Sequence, residues 1–539
     1  MASLAQPQGS LARGAAIITV ATALSRITGF VRVIVVAAAM GTTFLANTYQ
    51  TANTAPNVVF ELVAAGVLTS VFVPTFVEYL VKGRQTEGWQ AANALTTVAV
   101  VGLVAIAVLV ALLGEPLMRL LTLGVDDPVL RSQEISLGTS FLRLFAPQIV
   151  FYGVGMIMTG ALHAHRRFAI AAVAPIFNNL VVIGVYLLYA SMRGARPPTV
   201  DGVTTAETLV LGLGTTLGVV AMTVCLIPQL RALGWRFRFK WAPGHPAVRK
   251  AARLGVWALG YAGGYQAGLI VVLLLANAVE GGVAAYQWAY TFFYMPHALF
   301  AVAIFHVLFP AMSENAARGE PEELLVRLRD GLRMLAFILL PTAAIMLAGA
   351  GAISKLTLQY GVMTEAGADL VARVLAAFVI GLPTYSVFLV VTRAYYALSD
   401  TKTPALVNAG AVVVSSGLGY YLFTAADDDW SVPGLALGHS VAFALAAVVL
   451  VLLLSRRLGP VATHDLRIGV GRSLGASLLV LAVGLTLTAV LPASSKLEAL
   501  VSLLAVSAGG LGVYLATMAI ARAPELRRFA ALLRRGDPK

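Results

Sequence analysis

The chain has 539 residues, of which 59% are hydrophobic and only 12% are charged. A soluble chain would carry about 25% charged residues, so this composition excludes a soluble globular protein and indicates a polytopic membrane protein. The net charge of +13 does not require a nucleic-acid partner, because the basic residues cluster between apolar runs. The single cysteine, Cys225, excludes an intrachain disulfide and a cysteine-cluster metal site.

Fourteen apolar spans are predicted in chain order. They run over 15–40, 46–81, 91–113, 135–163, 168–192, 206–230, 251–278, 283–312, 332–353, 370–398, 404–424, 432–454, 468–491 and 497–520. The second and eighth are longer than the roughly 20 residues that a bilayer requires. Because they contain Pro56 and Pro74, and Pro296 and Pro310, we expect both to be bent at these prolines.

The connections between spans predict the orientation. Lysine and arginine concentrate in the even-numbered connections, above all in the segment 231–250 and the tail 522–539. Positive charge is retained on the cytoplasmic side of a membrane, so both termini are expected to be cytoplasmic.

An internal repeat appears at an offset near 240 residues. Pro56 and Phe60 recur as Pro296 and Phe300, and the Phe-Val-Pro sequence ending at Pro74 recurs as Leu-Phe-Pro ending at Pro310. The matched spans are six apart, and six is even, which predicts two six-helix lobes with the same orientation.

The predicted fold class is an all-α polytopic membrane protein of about 14 transmembrane helices. It has two six-helix lobes in a parallel pseudo-repeat and two extra C-terminal helices. The expected domains are the first lobe (1–233), a basic cytoplasmic linker (234–250), the second lobe (251–458), a two-helix pair (466–521) and a basic cytoplasmic tail (522–539). This is a transporter architecture. It lacks the long loops that carry catalytic groups in membrane enzymes, so no catalytic site and no cofactor are expected.

Two arginines lie inside the first apolar span. A charge near the middle of a bilayer costs at least about 2.5 kcal/mol, so Arg26 is expected to face a wet cavity or a partner. Arg32 follows at about 120° around the helix, where it either borders the same cavity or extends to the membrane interface. Guanidinium groups match phosphate bidentately, which favours an anionic substrate. Gly29, between them, permits close approach and is a candidate hinge.

Other ionisable groups inside the spans have several interpretations. Glu61 either contributes to the polar site or pairs with an arginine of the first span. His297 and His306 are nine residues apart, on opposite faces of a regular helix, so a metal site is not expected. Histidines that line a cavity or form hydrogen bonds are the default expectation.

These residues resemble one known family, the lipid II flippases of the MurJ (MviN) type. This family belongs to the multidrug/oligosaccharidyl-lipid/polysaccharide exporter superfamily. The resemblance rests on four short motifs and covers essentially the whole chain. The motifs are Ser25-Arg26-Ile-Thr-Gly29-Phe30-x-Arg32, Pro56-Asn57, Phe72-Val73-Pro74-x-x-x-Glu78, and Gln359-Tyr360-Gly361, with Lys402-Thr403-Pro404 in addition.

The resemblance implies a cationic cavity that binds the diphosphate and sugars of undecaprenyl-linked peptidoglycan precursor (lipid II). On this basis the expected substrate-binding residues are Arg26, Arg32, Asn57, Glu61 and Thr291. The family's last two helices form a groove for the lipid tail. Here, their glycines Gly475, Gly484, Gly509, Gly510 and Gly512 either allow close helix approach or leave such an apolar groove.

The chain also departs from the family pattern. Charged residues of the family are replaced by Val33, Asn47, Phe60, Ala65 and Thr291. Acidic residues that bind sodium in some members are absent from the seventh and eleventh spans. Either this chain binds the diphosphate with fewer arginines, or it moves a related lipid-linked glycan.

The resulting hypothesis is a flippase that moves lipid II from the inner to the outer leaflet of the bacterial cytoplasmic membrane by alternating access. The expected partners are lipid II and membrane lipids, with cell-wall synthesis proteins as further candidates. Export of another polyprenyl-linked glycan or of small molecules is an alternative within transporters. A membrane glycosyltransferase and a non-transporting scaffold of wall synthesis are alternatives from other classes.

Overall fold

The computed structural model describes residues 8–63, 85–246, 248–249, 263, 266–491 and 494–527. The predicted hinge Pro74, the motif around it, half of the seventh span and the end of the basic tail lie outside these residues. The described residues form helices and connecting turns.

The chain packs into two compact units. Unit 1 contains the described residues as far as Gln266, together with Asn277–Gly281 and Tyr360–Met363. Unit 2 contains Ala267–Ala276, Gly282–Gln359 and the described residues from Thr364 onwards. The two short stretches that join unit 1 from later in the chain are called the docked segments below. The predicted boundaries of the lobes, linker and tail stay predictions.

Unit 1 is built from these helices: α1 (Gln8–Met40), α2 (Phe44–Val63), α3 (Gln85–Leu112), α4 (Gly114–Leu121), α5 (Pro128–Ala164), α6 (Phe168–Arg193), α7 (Thr205–Val224) and α8 (Ile227–Ala232). The helix α9 (Gln266–Ala276) follows at the boundary.

Unit 2 begins with α10 (Gly282–Pro296), a π-helical turn (His297–Ala301) and α11 (Val302–Ala317). Its other helices are α12 (Pro321–Ala348), α13 (Ala350–Leu358), α14 (Glu365–Ile380), α15 (Leu382–Ala397), α16 (Lys402–Ala425), α17 (Asp428–Leu458), α18 (His464–Val490) and α19 (Lys496–Ile520).

Eleven candidate membrane spans occur in the described part of the chain, or up to twelve when α14 and α15, bent by 47°, are taken as one. Two of the fourteen predicted spans, the second and the seventh, extend beyond the described residues. The prediction of a multi-pass all-α membrane protein is confirmed, and the number fourteen is consistent with the described helices.

Helix starts differ most from the predicted boundaries. The fourth span was expected to begin at residue 135, whereas α5 begins at Pro128. The side chain of Asp127 accepts hydrogen bonds from the backbone N–H groups of Val129 and Leu130, and Pro128 occupies the first turn, where no donor is needed. Capping chemistry rather than hydrophobicity therefore sets this boundary.

The packing partners repeat between the units. In unit 1, α5 packs on α2, α3 and α7, and α6 packs on α7. In unit 2, α14 and α15 together occupy the position equivalent to α5: they pack on α10, α12 and α17, while α16 packs on α17. Each of these four pairs has its counterpart six spans later, in agreement with the predicted repeat.

The two C-terminal helices pack on α12. Their contact is apolar and includes Phe337 and Tyr514, whose hydroxyl donates to the carbonyl oxygen of Phe337 at 2.8 Å. A Cβ added at Gly484 would lie 2.7 Å from Cβ of Ala348, and one at Gly510 would lie 2.9 Å from Cγ1 of Val480. These two glycines therefore allow close helix approach.

The first residues of the predicted linker are held against α3. Trp235 is buried and its Nε1 donates to Oδ1 of Asn93 at 2.9 Å. The backbone N–H of Lys240 donates to Oγ1 of Thr97 at 2.9 Å. This part of the linker packs as a component of unit 1.

Candidate functional site

The motif that contains both arginines has a packing face and a free face. Nδ2 of Asn179 on α6 donates to the carbonyl oxygen of Ser25 at 3.2 Å and to Oγ1 of Thr28 at 3.0 Å. A Cβ at Gly29 would also meet Asn179, at 3.5 Å. Arg26 is exposed, away from this contact. The small and hydroxyl residues of the motif thus hold α1 on α6, while Arg26 stays accessible.

Arg32 lies in a different environment. It is half-buried, and its guanidinium acts electrostatically on the hydroxyl groups of Tyr49, Tyr152 and Tyr186. The Tyr186 hydroxyl donates to that of Tyr49 at 3.1 Å, and the Tyr49 hydroxyl lies 2.5 Å from Oγ1 of Thr215. Sequence reasoning missed these tyrosines, which come from three different helices and share no spacing pattern.

Asn57 and Glu61 lie one helical turn apart on α2, so they share a face. Nδ2 of Asn57 donates to the carbonyl oxygen of Asn53 at 2.8 Å. Glu61 is exposed, and it forms no ion pair with Arg26 or Arg32 among the residues that the structure describes. The suggested pairing of Glu61 with an arginine of the first span is therefore not made in this structure.

Thr291 belongs to unit 2. It is half-buried on α10 and its hydroxyl donates to the carbonyl oxygen of Gln287 at 3.0 Å. The polar residues of unit 1 and Thr291 therefore lie in separate units, and their roles as substrate ligands stay predictions.

The hinge candidates differ in their local geometry. α1 continues through Gly29, α2 continues through Pro56, and α11 continues through Pro310. Directly after Pro296 the helix changes to a π turn over His297–Ala301. A π turn is a common feature of functional sites, so Pro296 has the strongest local irregularity of the described candidates. Bending motion at these positions stays a prediction.

The two buried histidines of unit 2 contact a hydroxyl group and aromatic rings. Nδ1 of His297 lies 2.9 Å from Oγ of Ser386, as expected for a hydrogen-bonded histidine. His439 is buried among aromatic rings, with that of Phe443 at 4.5 Å between centroids. Within the described ranges, no group of three or more His, Cys, Asp and Glu side chains is arranged to hold a metal ion.

The docked segments of unit 1 meet α1 and α2 through hydrogen bonds. Nδ2 of Asn47 donates to the carbonyl oxygen of Val279 at 2.8 Å, and Oγ1 of Thr51 donates to Oδ1 of Asn277 at 3.1 Å. The backbone N–H of Val362 donates to the carbonyl oxygen of Ala38 at 3.0 Å. Asn47 stands where the family often has an aspartate, and here it acts as a neutral donor.

The fold of the chain is shared with membrane transporters of known structure. A multidrug resistance MATE family transporter of the MOP superfamily, in an inward-facing conformation, is similar with a TM-score of 0.64 and 13% identity; the match covers 80% of this chain and 94% of that one. The structure titled "Lipid II flippase MurJ, inward closed conformation" has a TM-score of 0.76 at 19% identity, covering 93% and 98% of the two chains.

Sequence comparisons identify the family within this class. The family model described as "Lipid II flippase MurJ" matches residues 36–508. The probable lipid II flippase MurJ of Rhizobium tropici is 30% identical over 443 residues, which are 81% of this chain and 79% of that protein. That of Synechocystis is 23% identical over 522 residues, 96% of each. The chain belongs to the lipid II flippase MurJ family, a family of transporters. Arg26 and Arg32 precede the matched residues.

Proposed function

We propose that this protein moves lipid II, the undecaprenyl-diphosphate-linked peptidoglycan precursor, from the inner to the outer leaflet by alternating access. The observation that carries the proposal is the family match over residues 36–508, on a chain with eleven to twelve described candidate spans. No bond is made or broken in this process. The protein provides a polar path for a headgroup that the bilayer interior excludes.

The headgroup is bound first by α1. Arg26 is accessible and pairs with a phosphate of the diphosphate, since guanidinium fits phosphate oxygens bidentately. Arg32 is half-buried and within electrostatic range of the hydroxyls of Tyr49, Tyr152 and Tyr186, which suits a second anionic or sugar contact. Asn57 and Glu61 on α2 and Thr291 on α10 supply hydrogen bonds to the glycan.

A second candidate substrate is another polyprenyl-linked glycan. It is supported by the neutral residues Val33, Asn47, Phe60 and Thr291 at positions where the family carries charge. The two candidate substrates are distinguished by depleting the protein in its native cell and identifying the lipid-linked intermediate that accumulates. Accumulation of lipid II supports the first, and accumulation of a different lipid-linked glycan supports the second.

The lipid tail lies along α18 and α19. Gly475 and Gly512 are exposed and have no neighbouring atom within 4 Å of an added Cβ, so they leave room for a polyprenyl chain. A photo-crosslinker at Gly512 should label a polyprenyl probe, while one at Leu213, an exposed residue of α7, should not. Equal labelling at both positions would show only general contact with membrane lipid.

The protein lies in the bacterial cytoplasmic membrane with both termini in the cytoplasm. The predicted topology places Arg238 inside and Asp428 outside. In a Cys225→Ser background, Asp428→Cys should react with a membrane-impermeant thiol reagent in intact cells and Arg238→Cys should not. The opposite labelling would reverse the orientation.

A further inference from the structure

Glu134 is a buried carboxyl group that the transport site does not use. It lies in the second turn of α5, and its exposed fraction is 0%. It faces Thr48 of α2, so it is enclosed where these two helices pack in unit 1. A buried carboxylate is costly unless a cation or several donors compensate its charge.

The hydrogen-bond geometry indicates that this carboxyl group carries a proton. Oγ1 of Thr48 lies 2.8 Å from the carbonyl oxygen of Phe44 and 3.1 Å from Oε1 of Glu134. A hydroxyl has one hydrogen, and the shorter contact to Phe44 uses it. The contact between Thr48 and Glu134 is then favourable when Glu134 supplies the hydrogen. Oε2 of Glu134 has no hydrogen-bond partner among the described residues.

Several of the charged and titratable groups around this site have other partners. Arg119 of α4 pairs with Glu115 at 2.6 Å, and Glu207 of α7 pairs with Arg196. Tyr49 of α2 bonds Thr215 and Tyr186. Further charged groups lie on α5 (Arg131 and Arg143), in the turn before α5 (Asp126 and Asp127) and in the neighbouring docked segment (Glu280). α3 carries Glu87 at its opposite end. None of these forms an ion pair with Glu134 in the described part of the chain.

The same face of α2 holds a docked segment. Asn47 and Thr51, which flank Thr48, bond Val279 and Asn277. Nδ2 of Asn277 also donates to the carbonyl oxygen of Leu121, at the end of α4. Movement of α2 away from α5 and the docked segment would therefore bring water to Glu134.

We propose that Glu134 is a proton-binding site coupled to the opening of this end of unit 1. The packed arrangement holds the neutral acid. On opening, the carboxyl group loses its proton to water and becomes a carboxylate, which must take up a proton before α2 and α5 pack again. Protonation thus favours the packed arrangement, and this arrangement becomes less populated as the pH rises. The inference goes beyond the proposed function, because it identifies a coupling ion.

A disulfide trap measures the packed arrangement without any substrate. Oγ1 of Thr42 lies 3.9 Å from Sδ of Met363 in a docked segment, so cysteines at both positions, in a Cys225→Ser background, should cross-link when the end is packed. The cross-linking rate is compared with that of the same protein carrying Glu134→Gln, at each pH from 5 to 9. The ratio removes the pH dependence of thiol chemistry. Glu134→Ala serves as a second variant without a titratable group.

The cross-linking rate of the wild type, divided by that of Glu134→Gln, should be near one at low pH. This ratio should fall as the pH rises, by at most about tenfold per pH unit for one proton. Glu134→Ala should show the same pH independence as Glu134→Gln. Glu115→Gln, which removes an exposed carboxylate of the neighbouring α4, should behave as wild type. A ratio that stays constant from pH 5 to 9, or a pH dependence that Glu115→Gln removes as completely as Glu134→Gln does, would overturn the proposal while leaving the proposed substrate untouched.

Discussion

Arg26 and Arg32 are six residues apart on one helix, but the structure gives them different surroundings. Arg26 is exposed beside the face that packs on α6, whereas Arg32 is half-buried near three tyrosine hydroxyls. The sequence alone left open whether Arg32 extends to the membrane interface. Its position near Tyr49, Tyr152 and Tyr186 favours a polar site inside unit 1.

Arg26→Ala should abolish complementation of a depleted strain, because the variant loses the accessible guanidinium that binds phosphate. The amount of protein in the membrane should stay unchanged, since the Arg26 side chain is exposed. Arg456→Ala, at an exposed position near the end of α17, is the matched control and should complement normally. A fully active Arg26→Ala protein would contradict the role of this arginine.

The hydrogen bonds of the Asp400 side chain could not be predicted from the spacing of residues in the sequence. Its carboxylate accepts from the backbone N–H of Thr403 at 3.0 Å and from Nη1 of Arg457 at 2.9 Å. The hydrogen bond from the Thr403 backbone, above all, holds the pKa of Asp400 below its usual value; burial acts in the opposite direction, and the Thr403 hydroxyl and Arg457 assist. The Lys402-Thr403-Pro404 motif is thus the capped start of α16, which explains the motif by local folding.

Asp400→Asn keeps an oxygen that can accept from Thr403 but removes the negative charge beside the start of α16 and Arg457, so it should lower the free energy of unfolding by about 0.3–1 kcal/mol at neutral pH. Because the pKa is depressed in the folded protein, the stabilisation is present above the ordinary carboxyl range near pH 4 and is lost as the pH falls. The thermal unfolding temperatures of the purified wild type and Asp400→Asn should therefore differ most at pH 7, and this difference should shrink below about pH 4. A difference that grows on acidification would be inconsistent with this sign. Asp201→Asn, in an exposed turn, is the control.

At the scale of helices, the pattern of apolar residues predicted the elements well and their ends poorly. The prediction began the fourth span one residue after Glu134, so it placed a fully buried carboxyl outside the membrane helix. The helix begins at Pro128 because Asp127 caps it. A prediction from hydrophobicity averages over many residues, whereas a helix cap depends on one side chain. The prediction therefore missed that Glu134 lies inside the helix.

The C-terminal pair gives a direct test of helix packing. Gly484→Val should destabilise the contact between α18 and α12 by about 1–3 kcal/mol, because its Cβ would lie 2.7 Å from that of Ala348. Gly475→Val, on the same helix with nothing within 4 Å, should leave stability nearly unchanged. The comparison is made by thermal unfolding of the two variants. Equal effects would show that Gly484 is not a packing glycine.

At the scale of the whole molecule, the internal repeat was visible in the sequence because prolines with fixed spacing recur near an offset of 240 residues. The matched packing of α5 with that of α14 and α15 agrees with it. The docked segments could not be predicted in the same way. Their partners Ala38, Asn47 and Thr51 are more than 200 residues away, and single hydrogen bonds between loops and helices leave no periodic signal.

The central claim is that this protein carries a lipid-linked diphosphate glycan across the membrane. The most direct measurement is the leaflet position of lipid II in depleted cells, probed with an externally added reagent that cleaves its diphosphate linkage and cannot cross the membrane. We predict that lipid II accumulates protected from the reagent and becomes accessible when the wild-type protein, but not Arg26→Ala, is restored. Lipid II that stays accessible during depletion would contradict the account.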